Sequence, residues 1–362
     1  MSRREVGGVP AVENVITETE IEETAGAIAS VQTAEGLILW FPGGHADPWN
    51  HIEAAMALAV AGRVGEAEAA YQWLMDHQLD DGSWHHYYLA DGIEDPKFDA
   101  NVCAYIATGA WHHYQLTRDG GFLETMWPVV EAAIDWVLDL QTSRGEIVWA
   151  RHADGTPWSF ALLTGSSSTY HSLRCAIAVA EHLGHERPDW ELSAGLLGHC
   201  VAHVPEAFAP KNRWAMDWYY PVLSGALSPG AAAERVDDQW DTFVMEGKGI
   251  RCVSDRPWIT AAETSECVMA LLTIGRRDTA LDLYRWVRHL RRDDGFWFTG
   301  IVYPELVSFP GNETSSYTAA AAILAADALS RTTRASGVLL GEGLPHGLDP
   351  TESIDADELD FD

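Results

Sequence analysis

Acidic side chains recur at one kind of place in this chain. They stand just before, or one turn inside, segments that read as apolar helices. Asp47 lies in GGHADPWNH, Asp99 in KFDANVC and Asp217 in AMDWYY. Glu263 and Glu266 lie in WITAAETSE, and Glu313 in PGNETSS. His45, Trp49, His51, Tyr170, Arg174, Trp218, Tyr219, Arg256 and Trp258 accompany them. Such a set could do paired-carboxylate chemistry. One carboxyl, kept protonated by burial beside tryptophan, gives its proton to a leaving oxygen, while the other activates water or attacks directly. Glycoside hydrolysis needs that pair. Asp47 and Glu263 are the expected catalytic carboxylates. The other residues are expected to bind substrate, with Trp49, Trp218, Tyr219 and Trp258 as flat faces for sugar rings.

Each residue also has a plainer explanation. Asp47, followed by Pro48, fits a helix N-cap with proline at N1. Asp99, Asp217 and Glu313 fit caps or first-turn acids. Glu263 and Glu266 could pair with Arg256 or Arg174. Glu263 weighs more, because a carboxylate inside an apolar helix is costly unless paired or used. The set, gathered on one rim, argues more strongly than any member.

The elements that must position these groups come in pairs. An all-round apolar helix alternates with an amphipathic one: 51–62 with 66–78, 100–116 with 122–141, and 169–183 with 190–204. The series continues with 217–227 and a helix around 230–245, then 258–274 and 279–297. Finally 314–329 pairs with the first helix, 21–40. Six pairs of buried and half-wet helices predict an all-α (α/α)6 barrel, one domain over residues 14–332. Residues 1–13 and 333–362 carry no pattern, and the second of these is strongly acidic, so both are expected to be disordered. Loops that lead into the inner helices build the concave end, where a ligand is expected.

Composition removes several classes. With 54 Asp+Glu against 23 Lys+Arg, a net charge of -31 repels nucleic acid. No apolar run approaches the roughly 20 residues of a membrane span, and the start of the chain lacks the apolar core of a leader. A cytoplasmic protein is expected. The 5 cysteines include no CxxC spacing, so neither a disulfide framework nor a zinc site is suggested. The pairs His85–His86 and His112–His113 point apart on any regular element and chelate poorly. Ser166–Ser168 lack nucleophile-elbow spacing. No cofactor or metal is expected. Many of the 16 tryptophans sit in turns, as in DGSWHHYY and GEIVWARH, which suits a sugar or a flat apolar ligand.

Four amphipathic helices end in a shared phrase: QTAEGLILW, QLDDGSW, QTSRGEIVW and RRDDGFW. It resembles the QW repeat of squalene-type terpene cyclases and protein prenyltransferases, which share related helical toroids. Their chemistry is not carried over: there is no DxDD acid, and Lys97, Lys211 and Lys248 could not furnish a basic diphosphate pocket. Asp237-Asp238-Gln239-Trp240-Asp241 spells DDxxD on an expected outer helix, where a solvated face explains it. From FPGGHADPWNH through GIRCVSDRPW to NETSSYTAAAAILAADALSRTT, the chain resembles a family of actinobacterial proteins often labelled prenyltransferases. Within it, the chain is similar to the methylmannose-polysaccharide hydrolases. That resemblance implies endo-acting cleavage of an α-1,4-linked mannan carrying 3-O-methyl groups. The residues themselves lead only to a carbohydrate-active barrel. A prenyl-diphosphate enzyme and a non-catalytic sugar-binding barrel stay open as alternatives, and nothing in the pattern speaks to oligomeric state.

Overall fold

Helix α1 (Glu18–Ser30) begins with a capping box: Thr17 accepts from the Glu20 amide, and the Glu20 carboxylate returns to the Thr17 amide. Helix α2 (Pro48–Val60) begins with Asp47 as cap and Pro48 at N1. The computed structural model describes residues 7–348. Along it follow α3 (Val64–His77), α4 (Ala100–Thr117), α5 (Gly120–Leu138), α6 (Leu163–Leu183) and α7 (Pro188–His203). Then come α8 (Ala215–Leu223), α9 (Pro229–Asp238), the short α10 (Trp240–Phe243), α11 (Ala261–Thr273), α12 (Arg277–Val287) and α13 (Ser316–Ser330).

The helices α2, α4, α6, α8, α11 and α13 pack each against the next, and α13 returns to α2. This closes an inner ring. Outside it lie α1, α3, α5, α7, α9 and α12, each against its inner neighbour. The expected (α/α)6 barrel is present. Burial follows the sequence pattern: α13 is buried on every side from Thr318 to Leu329, whereas α12 buries Ala280, Leu283, Tyr284 and Val287 and wets its other face.

The QW turns tie the outer ring together. Gln32 donates to the carbonyls of Gly36 and Glu66, Gln78 to those of Gly82 and Val129, and Gln141 to those of Gly145 and Ser193. One amide thus closes its own turn and grips the next outer helix. In the fourth copy Arg291 replaces glutamine and reaches the Glu20 carbonyl of α1. The glycine four residues on has positive φ each time: +103° at Gly36, +94° at Gly82, +116° at Gly145 and +87° at Gly295. A Cβ at Gly82 would stand 2.3 Å from the Ala132 carbonyl oxygen, so only glycine lets the turn approach the helix so closely. Two residues further, Ile38, Trp84, Ile147 and Trp297 are buried. The repeat does structural work.

Several elements differ from expectation. The first helix stops at Ser30, because residues 32–40 form the QW turn. The stretch 258–260 is a strand, so α11 starts at Ala261. It belongs to a five-stranded antiparallel sheet of β5 (Val244–Met245), β6 (Gly249–Arg251), β7 (Trp258–Thr260), β8 (Gly300–Val302) and β9 (Val307–Ser308). The hairpin of β1 (Tyr87–Leu89) with β2 (Gly92–Asp95), and the pair of β3 (Phe98–Asp99) with β4 (Ala150–Arg151), rim the same end.

The terminal segments expected to be disordered are packed where they are described. Val12 pairs with Ile16, and Ala335, Val338, Leu340 and Leu344 are buried. Residues 1–6 and 349–362 lie outside the described residues.

Candidate active site

Four inner helices begin at one cleft of about 320 Å³. Asp47, Trp49 and Asn50 come from α2, Asn101 from α4, Thr164 and Gly165 from α6, and Met216 and Asp217 from α8. The QW turns supply the facing wall. The residue four beyond the repeat glycine is Trp40, His86 or Trp149, and each lines the cleft. Tyr87, Lys211 and Trp214 complete it. Helix N-termini converge there, so their unpaired amides favour negative charge.

Three carboxylates face this space, and Asp47 and Asp99 are also tied to their helices. Asp47 caps α2, with Oδ1 accepting from the Asn50 amide at 3.0 Å. Its Oδ2 accepts from Trp40 Nε1 at 2.9 Å and Asn50 Nδ2 at 2.6 Å. Asp99 caps α4 through the Asn101 and Val102 amides, and its Oδ2 accepts from Trp149 Nε1 at 2.5 Å. Both are therefore caps, as their place in the sequence suggests, yet each holds a second oxygen toward a cleft tryptophan. Asp217 accepts from Thr164 Oγ1 at 2.7 Å. Burial raises all three carboxyls, Asp99 to about 6. Beside Asp99, burial pushes the His86 imidazole down to about 4, leaving it neutral.

Glu263 lies half-buried in the first turn of α11, where Cys252 Sγ donates to Oε1 at 2.9 Å. It does not wall the cleft of Asp47. Trp40, the donor to Asp47, meets Tyr317 of α13 edge-on at 4.8 Å. Burial and the charge of Glu263 raise the Tyr317 hydroxyl. Trp40 thus touches both Asp47 and Tyr317, and Tyr317 lies within electrostatic reach of Glu263.

A deeper acidic layer lies one turn down the barrel axis. Glu53, Tyr105, Ser168, His171, Tyr220 and Glu266 line a cavity of about 30 Å³. Glu266 accepts from the hydroxyls of Tyr219 and of Tyr220, the latter at 2.8 Å. Burial, then mutual repulsion, raises Glu53, and burial raises Glu266. Glu266 and Tyr219 are expected on the rim from sequence; both belong to this buried layer, with Tyr219 wholly enclosed.

Other expected site residues fall elsewhere. His51 is a core tie: Nδ1 accepts from the Ile38 amide at 3.0 Å, so Nε2 bears the hydrogen and donates to the Ala70 carbonyl at 2.9 Å. Burial lowers it to about 4. Tyr170 donates to the His346 carbonyl. Arg174 is buried and donates to the carbonyls of Ser224, Gly341, Leu344 and Pro345, holding the C-terminal segment in place of a carboxylate partner. Trp218 packs on Phe243 and donates to the Arg235 carbonyl in the core beneath α9. His45 sits beside the cleft, with Nδ1 2.7 Å from a Glu94 carboxylate oxygen and its ring stacked on Tyr87. Glu313 accepts from Thr299 Oγ1 at 2.9 Å near the start of α13. Arg256 and Trp258 line a neighbouring groove that shares Trp214 with the cleft.

Sequence reasoning misses Trp40, His86, Tyr87, Trp149 and Glu53. Three of these, Trp40, His86 and Trp149, carry a signal in their fixed distance from the repeat glycine. Asp237 of the DDxxD string is taken by Arg276 through both carboxylate oxygens. Among the described residues, no group of three or more His, Cys, Asp or Glu is arranged to hold a metal.

No family model matches the chain. It is 50% identical over 349 residues to the MMP endo-(1,4)-3-O-methyl-alpha-D-mannosidase of Mycolicibacterium hassiacum, covering 96% of this chain and 97% of that one. Solved structures share the fold. A GH63 mannosylglycerate hydrolase from Thermus thermophilus superposes with a TM-score of 0.66 at 11% identity, over 84% of this chain and 99% of the other. A second glycosidase gives 0.67 at 13% identity, over 91% and 98%. A D-mannose isomerase gives 0.64 at 12% identity, over 85% and 95%.

Proposed function

The chain belongs to the family of the MMP endo-(1,4)-3-O-methyl-alpha-D-mannosidase, and from that premise we propose that it cleaves internal α-1,4 bonds of a methylated mannan with inversion, using Asp47 and Glu263. It is a glycoside hydrolase. The half identity along nearly the whole chain carries the choice of sugar. The cleft supports the chemistry, because it sets carboxylates among Trp40, Trp49, Tyr87, Trp149 and Trp214. Indole faces stack on the C–H faces of pyranose rings. Carboxylates take the hydroxyls as strong, charge-assisted acceptors.

In this reading Asp47 is the acid. Burial raises its carboxyl, and it gives a proton to the glycosidic oxygen as the C1–O bond breaks. Glu263 holds only Oε1 against the Cys252 thiol, which leaves Oε2 for water. It takes a proton from that water, whose oxygen bonds to C1 from the opposite face. The product is the inverted anomer, and solvent restores both protonation states. Asp99 and Asp217 hold hydroxyls. We place the reaction in the cytoplasm with a polysaccharide as partner.

The test is digestion of α-1,4-mannooligosaccharides, with and without EDTA, followed by mass spectrometry and by NMR of the first-formed anomer. Geranylgeranyl diphosphate runs in parallel. Asp47→Asn and Glu263→Gln should each lose roughly a hundred- to ten-thousand-fold in kcat/KM. Asp47→Asn alone should keep activity on a mannosyl fluoride, whose leaving group needs little protonation. Full activity in either variant, or a retained anomer, sinks the assignment. Consumption of the diphosphate with intact sugars sinks the function.

A further inference from the structure

A second groove, of about 330 Å³, adjoins the cleft. Trp214, Val253, Trp258, Val302 and Phe309 wall it, flanked by Arg213 and Arg256. Trp214 lines both spaces, so the groove continues the cleft along the surface. The two differ in chemistry. The cleft carries Asp47, Asp99 and Asp217. The groove is mostly apolar, with Arg213 and Arg256 as its charged members. Trp258 Nε1 donates to the Phe309 carbonyl at 3.2 Å, and Arg213 Nε is held by Asp255 at 2.8 Å. Large apolar groups nevertheless face solvent: Trp214 is 38% exposed and Phe309 49%. An exposed apolar patch of this kind marks a binding surface.

We propose that this groove is a further sugar subsite, which takes the O-methylated units of the chain beyond the cleft and reads their methyl groups on Trp214, Trp258 and Phe309. The proposal rests on the mannosidase reading above. A plain mannose unit turns hydroxyl groups toward its surroundings. Against these walls the hydroxyls would lose water and find few partners. A methyl ether has no hydrogen to satisfy and adds apolar area. Each methyl group buried should strengthen binding about fourfold. Specificity for methylation then resides outside the catalytic cleft, and the cleft needs no pocket for it.

The experiment compares methylated and plain α-1,4-mannooligosaccharides of equal length, long enough to pass Trp214. Phe309→Ala removes an exposed ring, and Val302→Thr places a hydroxyl in the wall at nearly constant shape. Expected is a loss of about tenfold in kcat/KM on the methylated chain, with the plain chain changed by less than about twofold. Equal losses on both chains, or no loss on either, overturn the proposal. So does a concentration-dependent dimer that Phe309→Ala abolishes, since a second copy would then fill the groove. Binding of the methylated chain is also followed by tryptophan fluorescence. If the wild type cleaves neither chain, the mannosidase reading fails, and loss of binding in Phe309→Ala still decides the groove by itself.

Discussion

Gly145→Ala and Gly155→Ala form a matched pair that isolates the close approach on which the QW turns depend. Both glycines have positive φ, +116° and +83°. A side chain at either position therefore costs about 1–2 kcal/mol of backbone strain. They differ in what a Cβ would meet. At Gly145 it would lie 2.6 Å from the Leu196 carbonyl oxygen and 3.1 Å from its carbon, both backbone atoms of α7; at Gly155 nothing stands within 4 Å. Backbone cannot rotate aside, so the turn and α7 must separate, at about 1–3 kcal/mol by analogy with overpacked cores. Gly145→Ala should cost roughly 2–5 kcal/mol in total and Gly155→Ala about 1–2. Urea unfolding reads the difference as a shift of midpoint at constant m-value. The same displacement pulls Gln141 from the Ser193 carbonyl and moves Trp149, the donor to Asp99. The folded Gly145→Ala enzyme should therefore also lose turnover, while Gly155→Ala keeps it. Equal midpoints for the two variants would refute the idea that the turn is pinned by contact with the neighbouring helix.

Two further outcomes follow from the buried charges. Arg174→Met removes four hydrogen bonds to carbonyls and should cost about 2–4 kcal/mol; limited proteolysis should then clip the segment around residues 341–346, while KM for oligosaccharide stays unchanged, which a substrate-binding arginine would not allow. Asp99 titrates near 6 in the folded chain, above its ordinary value of 3.8, because of burial, so the folded state holds that proton more tightly than the unfolded one. Its contribution is fully present below about pH 4 and declines as pH rises through 6, by on the order of 3 kcal/mol; Asp99→Asn should flatten stability between those two pH values in urea titrations, and an unchanged slope would refute the burial account.

The double ring is legible because burial leaves a compositional trace. An inner helix such as α13 is apolar all round, an outer one such as α12 on one face, and the alternation counts the pairs. The same property hides the site. A helix covered on every side has no polar–apolar contrast, so its sequence does not say which residues face the axis. His51, Trp218 and Tyr170 look like rim residues for this reason, since each stands near the start of an inner helix. The caps supply the missing phase. Trp49, Asn101, Thr164 and Met216 line the cleft. Four residues after each, one turn deeper on the same face, stand Glu53, Tyr105, Ser168 and Tyr220, which line the lower cavity. His51 and Trp218 come two residues after Trp49 and Met216, and Tyr170 two after Ser168. Each step is about 200° around the helix. These side chains therefore point away from the axis: His51 reaches α3 at Ala70, and Trp218 reaches α9 at Arg235. With Trp49 taken as the phase marker, Glu53, four residues on, is an axial residue. It is the carboxylate that a search for polar residues at the helix starts passes over.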